Sequence, residues 1–129
     1  MKIRRSAASL AVAVTALAGI ALTPGTASAS TGGGCGTTGS LKSCISASGK
    51  NVAPDFYIIA PTPGCTSVEF YVYDETSGAT KFDQDYPCIL GHIAPIVFAG
   101  TNGHRYGSTA RELNGSNYYA FSPILTFSG

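Results

Sequence analysis

The chain lacks tryptophan, has only two histidines, and carries charge on only 12% of its residues. Beyond residue 29 it also lacks the sustained apolar period of a helix, which predicts an all-β protein. After that residue, five basic residues against seven acidic ones give a formal charge of −2, with no basic cluster. Such a chain has few basic side chains to bind the phosphates of a nucleic acid, so the composition argues against nucleic-acid binding.

Residues suited to catalysis or to metal binding are also scarce. The histidines, His92 and His104, lie in expected loops, and no Gly-x-Ser-x-Gly nucleophile elbow occurs. Asp83 and Asp85 share one face of an expected strand, but two carboxylates fall short of the roughly six to eight oxygens that calcium takes. We therefore predict no catalytic residue, no metal and no cofactor. A small hydrolase that uses either histidine with Asp83 or Asp85 remains an alternative.

The first 29 residues have the features of a secretory signal peptide. A basic start precedes an apolar run, 7–22, and Ala27-Ser28-Ala29 fits the small-residue cleavage pattern. The run is interrupted and is shorter than the roughly 20 apolar residues of a membrane-spanning helix, so an anchor is the weaker interpretation. We predict cleavage after Ala29, export from the cell and no membrane contact of the mature chain.

The predicted mature chain contains a glycine-rich N-terminal segment, 30–40, followed by one domain over 41–129, which we expect to be monomeric. All four cysteines lie in this part, and export would place them in an oxidising compartment. Three disulfide pairings are formally possible. We favour Cys35 with Cys44 and Cys65 with Cys88, because each pair closes one local loop, and we expect the glycine-rich segment to be ordered only near Cys35.

The stretch 65–83 predicts a β-hairpin. Apolar side chains alternate with polar or tyrosine side chains along 68–73, and a polar loop, 74–78, precedes a second short run. Pairs such as Asn114-Gly115, which tolerate the positive φ of hairpin turns, separate other apolar runs. About seven short strands result. This pattern is typical of an antiparallel two-sheet sandwich, and we predict an immunoglobulin-like or fibronectin-like one.

Tyrosines are the most suggestive candidates for a binding surface. Tyr71 and Tyr73 fall on the strand face opposite the apolar residues, where they can stack on sugars or anchor a protein partner. The competing interpretation is that another sheet edge or the loops cover this face. For Tyr118 and Tyr119 we expect one ring in the core and the other outside.

A second candidate is the segment from Tyr86 to Leu90, which contains Cys88. A loop held by a disulfide loses less entropy when it binds, as in small protease inhibitors, and an apolar Ile89 suits a protease with a hydrophobic pocket. The competing interpretation is an ordinary apolar strand start next to a disulfide. We take Tyr86 and Ile89 as its candidate binding residues.

Three features carry a resemblance: the export signal with its alanine-rich core, the segments Ser43-Cys44-Ile45-Ser46 and Pro54-Asp55-Phe56-Tyr57, and the tyrosine-rich remainder. In these features the chain resembles small secreted proteins of actinobacteria, many of them uncharacterised. In size and cysteine count the chain is similar to the secreted protease inhibitors of these bacteria, which implies inhibition of extracellular proteases. The tryptophan-arginine-tyrosine segment of the amylase inhibitor family is absent. We predict a binding module for an extracellular protein or glycan, with a protease inhibitor as the first alternative.

Overall fold

A computed structural model describes residues 29–129. The signal peptide predicted over 1–29 therefore lies, except for Ala29, outside the described residues. The described chain is built from strands alone, in the following order: β1 (Thr31–Gly32), β2 (Gly34–Thr38), β3 (Leu41–Ser48), β4 (Asn51–Ile58), β5 (Cys65–Asp74), β6 (Ala79–Tyr86), β7 (Gly91–Ile93), β8 (Phe98–Ala99), β9 (Arg105–Asn114), β10 (Tyr119–Phe121) and β11 (Leu125–Thr126).

The strands form two antiparallel sheets that pack face to face. One is six-stranded, in the order β1-β11-β9-β5-β6, with β10 also paired to β9; the other is five-stranded, in the order β2-β3-β4-β7, with β8 also paired to β4. The ring stacking of Phe56 on β4 with Phe70 on β5 joins the facing sides of the two sheets. The predicted two-sheet sandwich is therefore confirmed.

The count of eleven strands, where about seven were predicted, has a simple physical cause. β7 and β8 both pair with β4, and a segment that contains Pro95 separates them. In the same way, β10 and β11 both pair with β9, and a segment that contains Pro123 separates them. Proline has no N–H to donate to a ladder, so it divides each of these strands in two. The other two additional strands, β1 and β2, come from the glycine-rich N-terminal segment.

That N-terminal segment is more ordered than the sequence predicted. β1 pairs with β11 of the six-stranded sheet and β2 pairs with β3 of the five-stranded sheet, so the chain crosses from one sheet to the other. The crossing passes through Gly33, whose φ of 74° suits a glycine. At Gly36 a side chain would collide with the carbonyl oxygen of Phe121, so glycine lets β2 approach β10 closely. This segment closes one side of the sandwich.

The core lies between the sheets and follows the alternation predicted for β5. Val68, Phe70 and Val72 are at most 1% exposed. Phe70 stacks on Phe56 of β4, with ring centroids 4.5 Å apart, and so joins the two sheets. Burying each such side chain contributes roughly 1.5–3 kcal/mol, which makes this contact a main source of stability.

A network of buried hydroxyl groups also links the sheets. Ser108 on β9 donates its hydroxyl to the carbonyl oxygen of Cys44 (2.9 Å), so Ser43 on β3 is the donor in the 2.8 Å bond to Ser108. The backbone N–H of Ser108 donates to the hydroxyl of Ser122 (2.9 Å). Each hydroxyl is thereby satisfied in a place where an unpaired one would cost about 1–3 kcal/mol.

One end of the sandwich is organised by the buried carboxylate of Glu112 on β9. Its side chain accepts hydrogen bonds from the hydroxyl of Ser40 (2.8 Å), from the hydroxyl of Thr62, and from the backbone N–H of Ser116 (3.1 Å). These donors belong to three different loops. The Cys65–Cys88 disulfide lies at the same end, and both it and Cys35–Cys44 have the pairing predicted from the sequence.

Candidate binding face

Four aromatic side chains share the outward face of the six-stranded sheet, and we call them the aromatic face: Tyr71, Tyr73, Tyr119 and Phe121. Tyr71 and Tyr73 alternate with the buried residues of β5. The register then places Tyr71 opposite Thr109 of β9, and Thr109 opposite Phe121 of β10. Residues directly opposite one another in paired strands project to the same side of a sheet, so the four rings converge.

The rings form two neighbouring pairs. Those of Tyr71 and Tyr73 lie 6.1 Å apart between centroids at an angle of 41°, whereas those of Tyr119 and Phe121 lie 6.0 Å apart and are nearly parallel, at 13°. Tyr119 is 39% and Phe121 54% exposed. Tyr71 and Tyr73 are partly buried, so the more exposed half of the aromatic face is the pair on β10.

The strand between the two pairs, β9, contributes small side chains beneath the rings. At Gly107 a β-carbon would collide with the ring of Tyr73, so the tyrosine lies across the glycine backbone. Thr109 is fully buried on this outward side, and its hydroxyl has no hydrogen-bond partner within the described chain. Burial, with Tyr71 and Glu75 nearby, raises the pKa of Tyr73. The aromatic face is thus a filled surface of low relief.

An ion pair borders the aromatic face at Tyr119. Arg111 pairs with Glu69, donates a hydrogen bond to the hydroxyl oxygen of Tyr119 (3.0 Å), and has its guanidinium carbon 5.6 Å from the centroid of that ring. The hydrogen bond to Tyr119 is the largest effect on the pKa of Arg111, and Glu69 adds to it, so this pKa is raised despite partial burial. These contacts fix the ring of Tyr119 and neutralise the cation.

The other border is the edge strand β6, which carries two exposed carboxylates. Asp83 is opposite Tyr71, and Asp85 is opposite Glu69. Neither aspartate has an ion-pair partner in residues 29–129. Charged side chains on an edge strand discourage pairing with another chain, and they also give this side of the aromatic face free hydrogen-bond acceptors.

The other predicted binding residues, Tyr86 and Ile89, lie away from the aromatic face. Tyr86 ends β6 on its inward side, tilted against Phe56 with ring centroids 5.2 Å apart, and burial raises its pKa. Ile89 and Leu90, by contrast, are 65% and 67% exposed. The backbone N–H of Ile89 donates to the carbonyl of Pro87 (2.8 Å), so the chain bends at Cys88.

This bent segment forms a second candidate site beside the open edge of the sandwich. A groove of ≈ 290 Å³ lies here, and its lining residues are Tyr86, Pro87, Ile89, Leu90, Gly91, His92 and Ile93. A larger groove, of ≈ 420 Å³, lies at the N-terminal crossing, where glycine, serine, alanine and two aliphatic residues line it and none is titratable. The exposed loop 87–90 is therefore a candidate site in addition to the aromatic face.

The histidines have acidic partners, but not the ones that the hydrolase alternative required. His92 Nε2 lies 2.6 Å from a carboxylate oxygen of Asp55, and His104 Nδ1 lies 2.6 Å from one of Asp74. Asp74 is buried and also accepts hydrogen bonds from the backbone N–H groups of Thr76 and Ser77. Burial raises its pKa, but the bonds from His104 and Ser77 outweigh burial and lower it overall.

The opposite outward face, that of the five-stranded sheet, has its own aromatic residue, but this ring already contacts two neighbouring side chains. Tyr57 stacks on His92, with centroids 4.1 Å apart and an angle of 9°, and Lys42 has its ammonium nitrogen 5.1 Å from the ring centroid. Tyr57 is therefore less available for stacking on a ligand than the rings of the aromatic face.

Residues 29–129 contain no group of three or more histidine, cysteine, aspartate or glutamate side chains placed to hold a metal ion. Within the same range no helix is long and apolar enough to cross a membrane.

Two of the four residues of the aromatic face, Tyr71 and Tyr73, were predicted from the sequence as binding residues. The prediction of one buried and one outward ring for Tyr118 and Tyr119 is confirmed, since Tyr118 packs against the core and Tyr119 points outward. Phe121 was missed, although alternation about the buried Ala120 marks it as a neighbour of Tyr119. The chain matches no protein-family model, no curated protein and no solved structure.

Proposed function

We propose that the protein is a secreted, monomeric binding module that recognises an extracellular ligand through the aromatic face. The observation that carries the proposal is the convergence of four aromatic rings on one outward sheet face, with two of them 39% and 54% exposed. An outward face without this role is normally polar, since nothing is gained by exposing large apolar side chains to water. Two disulfides in the described chain are compatible with an extracellular location.

The rings are also held in place before any ligand arrives. Tyr73 lies across Gly107, and Tyr119 is fixed by Arg111, so these side chains lose little rotational freedom on binding. Lower entropy loss favours affinity. The exposed apolar surface and the fixed geometry of its rings together support the proposal that the aromatic face binds a ligand.

The test is retention of the purified, disulfide-bonded protein on two natural matrices, isolated bacterial cell walls and milled plant cell walls, which contain glycans and proteins. We expect retention of the native protein, and a loss of roughly tenfold or more in affinity for Phe121→Ala or Tyr119→Ala, as for truncated aromatic anchors. Tyr57→Ala, on the opposite sheet face, is the matched control and should bind as the native protein does. Equal losses for all three variants, or no retention at all, would contradict the proposal.

A second candidate function is protease inhibition through the loop after Cys88. It is favoured by the exposure of Ile89 (65%) and Leu90 (67%) directly after a disulfide-bonded cysteine. A protease would insert one of these apolar side chains into its specificity pocket while the disulfide restrains the loop. The bend at Cys88, however, departs from the extended conformation in which proteases bind a chain.

This candidate is tested with subtilisin-like, trypsin-like and thermolysin-like proteases, followed by mass spectrometry of each mixture. Inhibition with a single cut next to Ile89, abolished by Ile89→Asp and unaffected by Phe121→Ala, would establish it. An uncut protein that inhibits none of the three classes would remove it and leave the proposal for the aromatic face unaffected.

A further inference from the structure

We propose that the ligand of the aromatic face is a neutral polysaccharide, whose sugar rings stack on the aromatic side chains while its hydroxyl groups donate hydrogen bonds to Asp83 and Asp85. This proposal rests on the function proposed above and names its ligand class. Three properties of the aromatic face carry it: the relief of the surface, the arrangement of the rings and the distribution of charge.

The relief of the surface suits a flat ligand. Beneath the rings, Gly107 is covered by Tyr73, and Thr109 is fully buried. Aromatic anchors of protein partners generally need a well-packed pocket at the centre of the interface. The two grooves described above lie elsewhere, at the N-terminal crossing and at the loop after Cys88. The centre of the aromatic face is therefore filled, and it favours a ligand that lies on it.

The arrangement of the rings suits a ligand with repeated units. Tyr119 and Phe121 are nearly parallel, at 13°, and a second pair of rings, on β5, lies across β9 from them. An aromatic ring has a negative face. The flat side of a pyranose presents C–H bonds that carry a small positive charge, so the two surfaces attract one another without any net charge on the ligand.

The charge distribution selects a neutral glycan over an anionic one. The two arginines of β9 are already paired, Arg111 with Glu69 and with the hydroxyl of Tyr119, and Arg105 with Glu75. The free charges at the rim are the carboxylates of Asp83 and Asp85, both exposed. They accept hydrogen bonds from sugar hydroxyls, whereas they repel the carboxylate, sulfate or phosphate groups of acidic polymers.

The experiment measures depletion of the purified, disulfide-bonded protein from solution by cellulose, chitin, mannan and starch, with polygalacturonate as the anionic probe. We expect at least one neutral polysaccharide to bind the protein, with affinity nearly unchanged in about 0.5 M salt, because stacking is not screened. Phe121→Ala and the double variant Asp83→Ala with Asp85→Ala, which removes both rim acceptors, should each weaken binding by roughly tenfold, while Tyr57→Ala should not. A thermal unfolding curve for each variant verifies that it is folded.

Three outcomes would overturn the glycan proposal, and they separate it from the proposed function. Binding to polygalacturonate alone, lost in salt, would mean an electrostatic ligand. Retention on cell walls that depends on Phe121 but disappears after protease treatment of the walls, with no binding to any pure polysaccharide, would mean a protein ligand and would leave the proposed function intact. Failure to bind every polysaccharide and both wall preparations would overturn the two proposals together.

Discussion

Removal of the buried carboxylate of Glu112 should destabilise the protein more than any other single change to an acidic residue. The side chain is 1% exposed and joins three loops through the hydroxyls of Ser40 and Thr62 and the N–H of Ser116. In Glu112→Ala these donors lose the carboxylate; the N–H of Ser116 keeps a weaker bond to the hydroxyl of Thr62 (3.3 Å), whereas Ser40, which is 4% exposed, cannot turn to water. One buried donor left unpaired costs about 1–3 kcal/mol. With the cavity added, we expect a loss of about 3–5 kcal/mol in the free energy of unfolding.

Glu112→Gln separates the charge from the shape of the side chain. The amide oxygen can still accept from Thr62 and Ser116, and the amide N–H₂ can donate to Ser40, whose hydroxyl oxygen is also an acceptor. What remains is the difference between charged and neutral hydrogen bonds, so we expect a smaller loss of about 1–2 kcal/mol. The order of stability is therefore native, then Gln, then Ala.

The assay is urea-induced unfolding of the disulfide-bonded variants at neutral pH. Glu75→Gln is the matched control, because Glu75 is exposed and pairs with the exposed Arg105 at 3.0 Å, a contact expected to contribute no more than about 1 kcal/mol. The role assigned to Glu112 would be wrong if the free energy of unfolding of Glu112→Ala lay within about 0.5 kcal/mol of that of the native protein, or if Glu75→Gln lowered it more.

Three further predictions concern other buried polar groups. The folded state lowers the pKa of Asp74 below its ordinary 3.8, so in acid the unfolded chain binds more protons than the folded protein does. Asp74 therefore contributes stability above about pH 3.8, and this contribution is lost as the pH falls through the pKa of Asp74 in the folded protein. Asp74→Asn, which removes the ionised partner of His104, should lower the free energy of unfolding at pH 7 and reduce its dependence on pH in acid, measured by urea unfolding from about pH 2 to 7. An unchanged pH dependence would refute this prediction. Ser108→Ala removes the acceptor of the Ser43 hydroxyl and one donor to the carbonyl of Cys44, and it should lower the free energy of unfolding by about 1–3 kcal/mol, measured by thermal unfolding. An unchanged stability would refute the role of the network. Thr109→Val removes a buried hydroxyl that has no partner in the described residues, so the melting temperature should stay the same or rise; a clear decrease would show that the hydroxyl is bonded.

The local pattern of the sequence determined the strands, the hairpin and the disulfides. A period of two along β5 already states which side chains are buried, because successive residues of a strand point to opposite faces. The two cysteine pairs were predictable since each closes a short local loop. The number of strands was not predictable from the sequence. Pro95 and Pro123 divide a strand only because a partner strand, β4 or β9, runs past them, and the sequence does not show which strands are partners.

The candidate site, in contrast, was decided by tertiary structure. Alternation shows that Tyr71 and Phe121 each point out of a strand, but not that both strands pair with β9 on opposite sides of Thr109. The pairing of Arg111 with Glu69, and the approach of three loops to Glu112, have the same origin. These contacts join residues far apart in the chain, and only the register of the assembled sheets brings them together, since a shift of one residue would turn every one of these side chains to the other face.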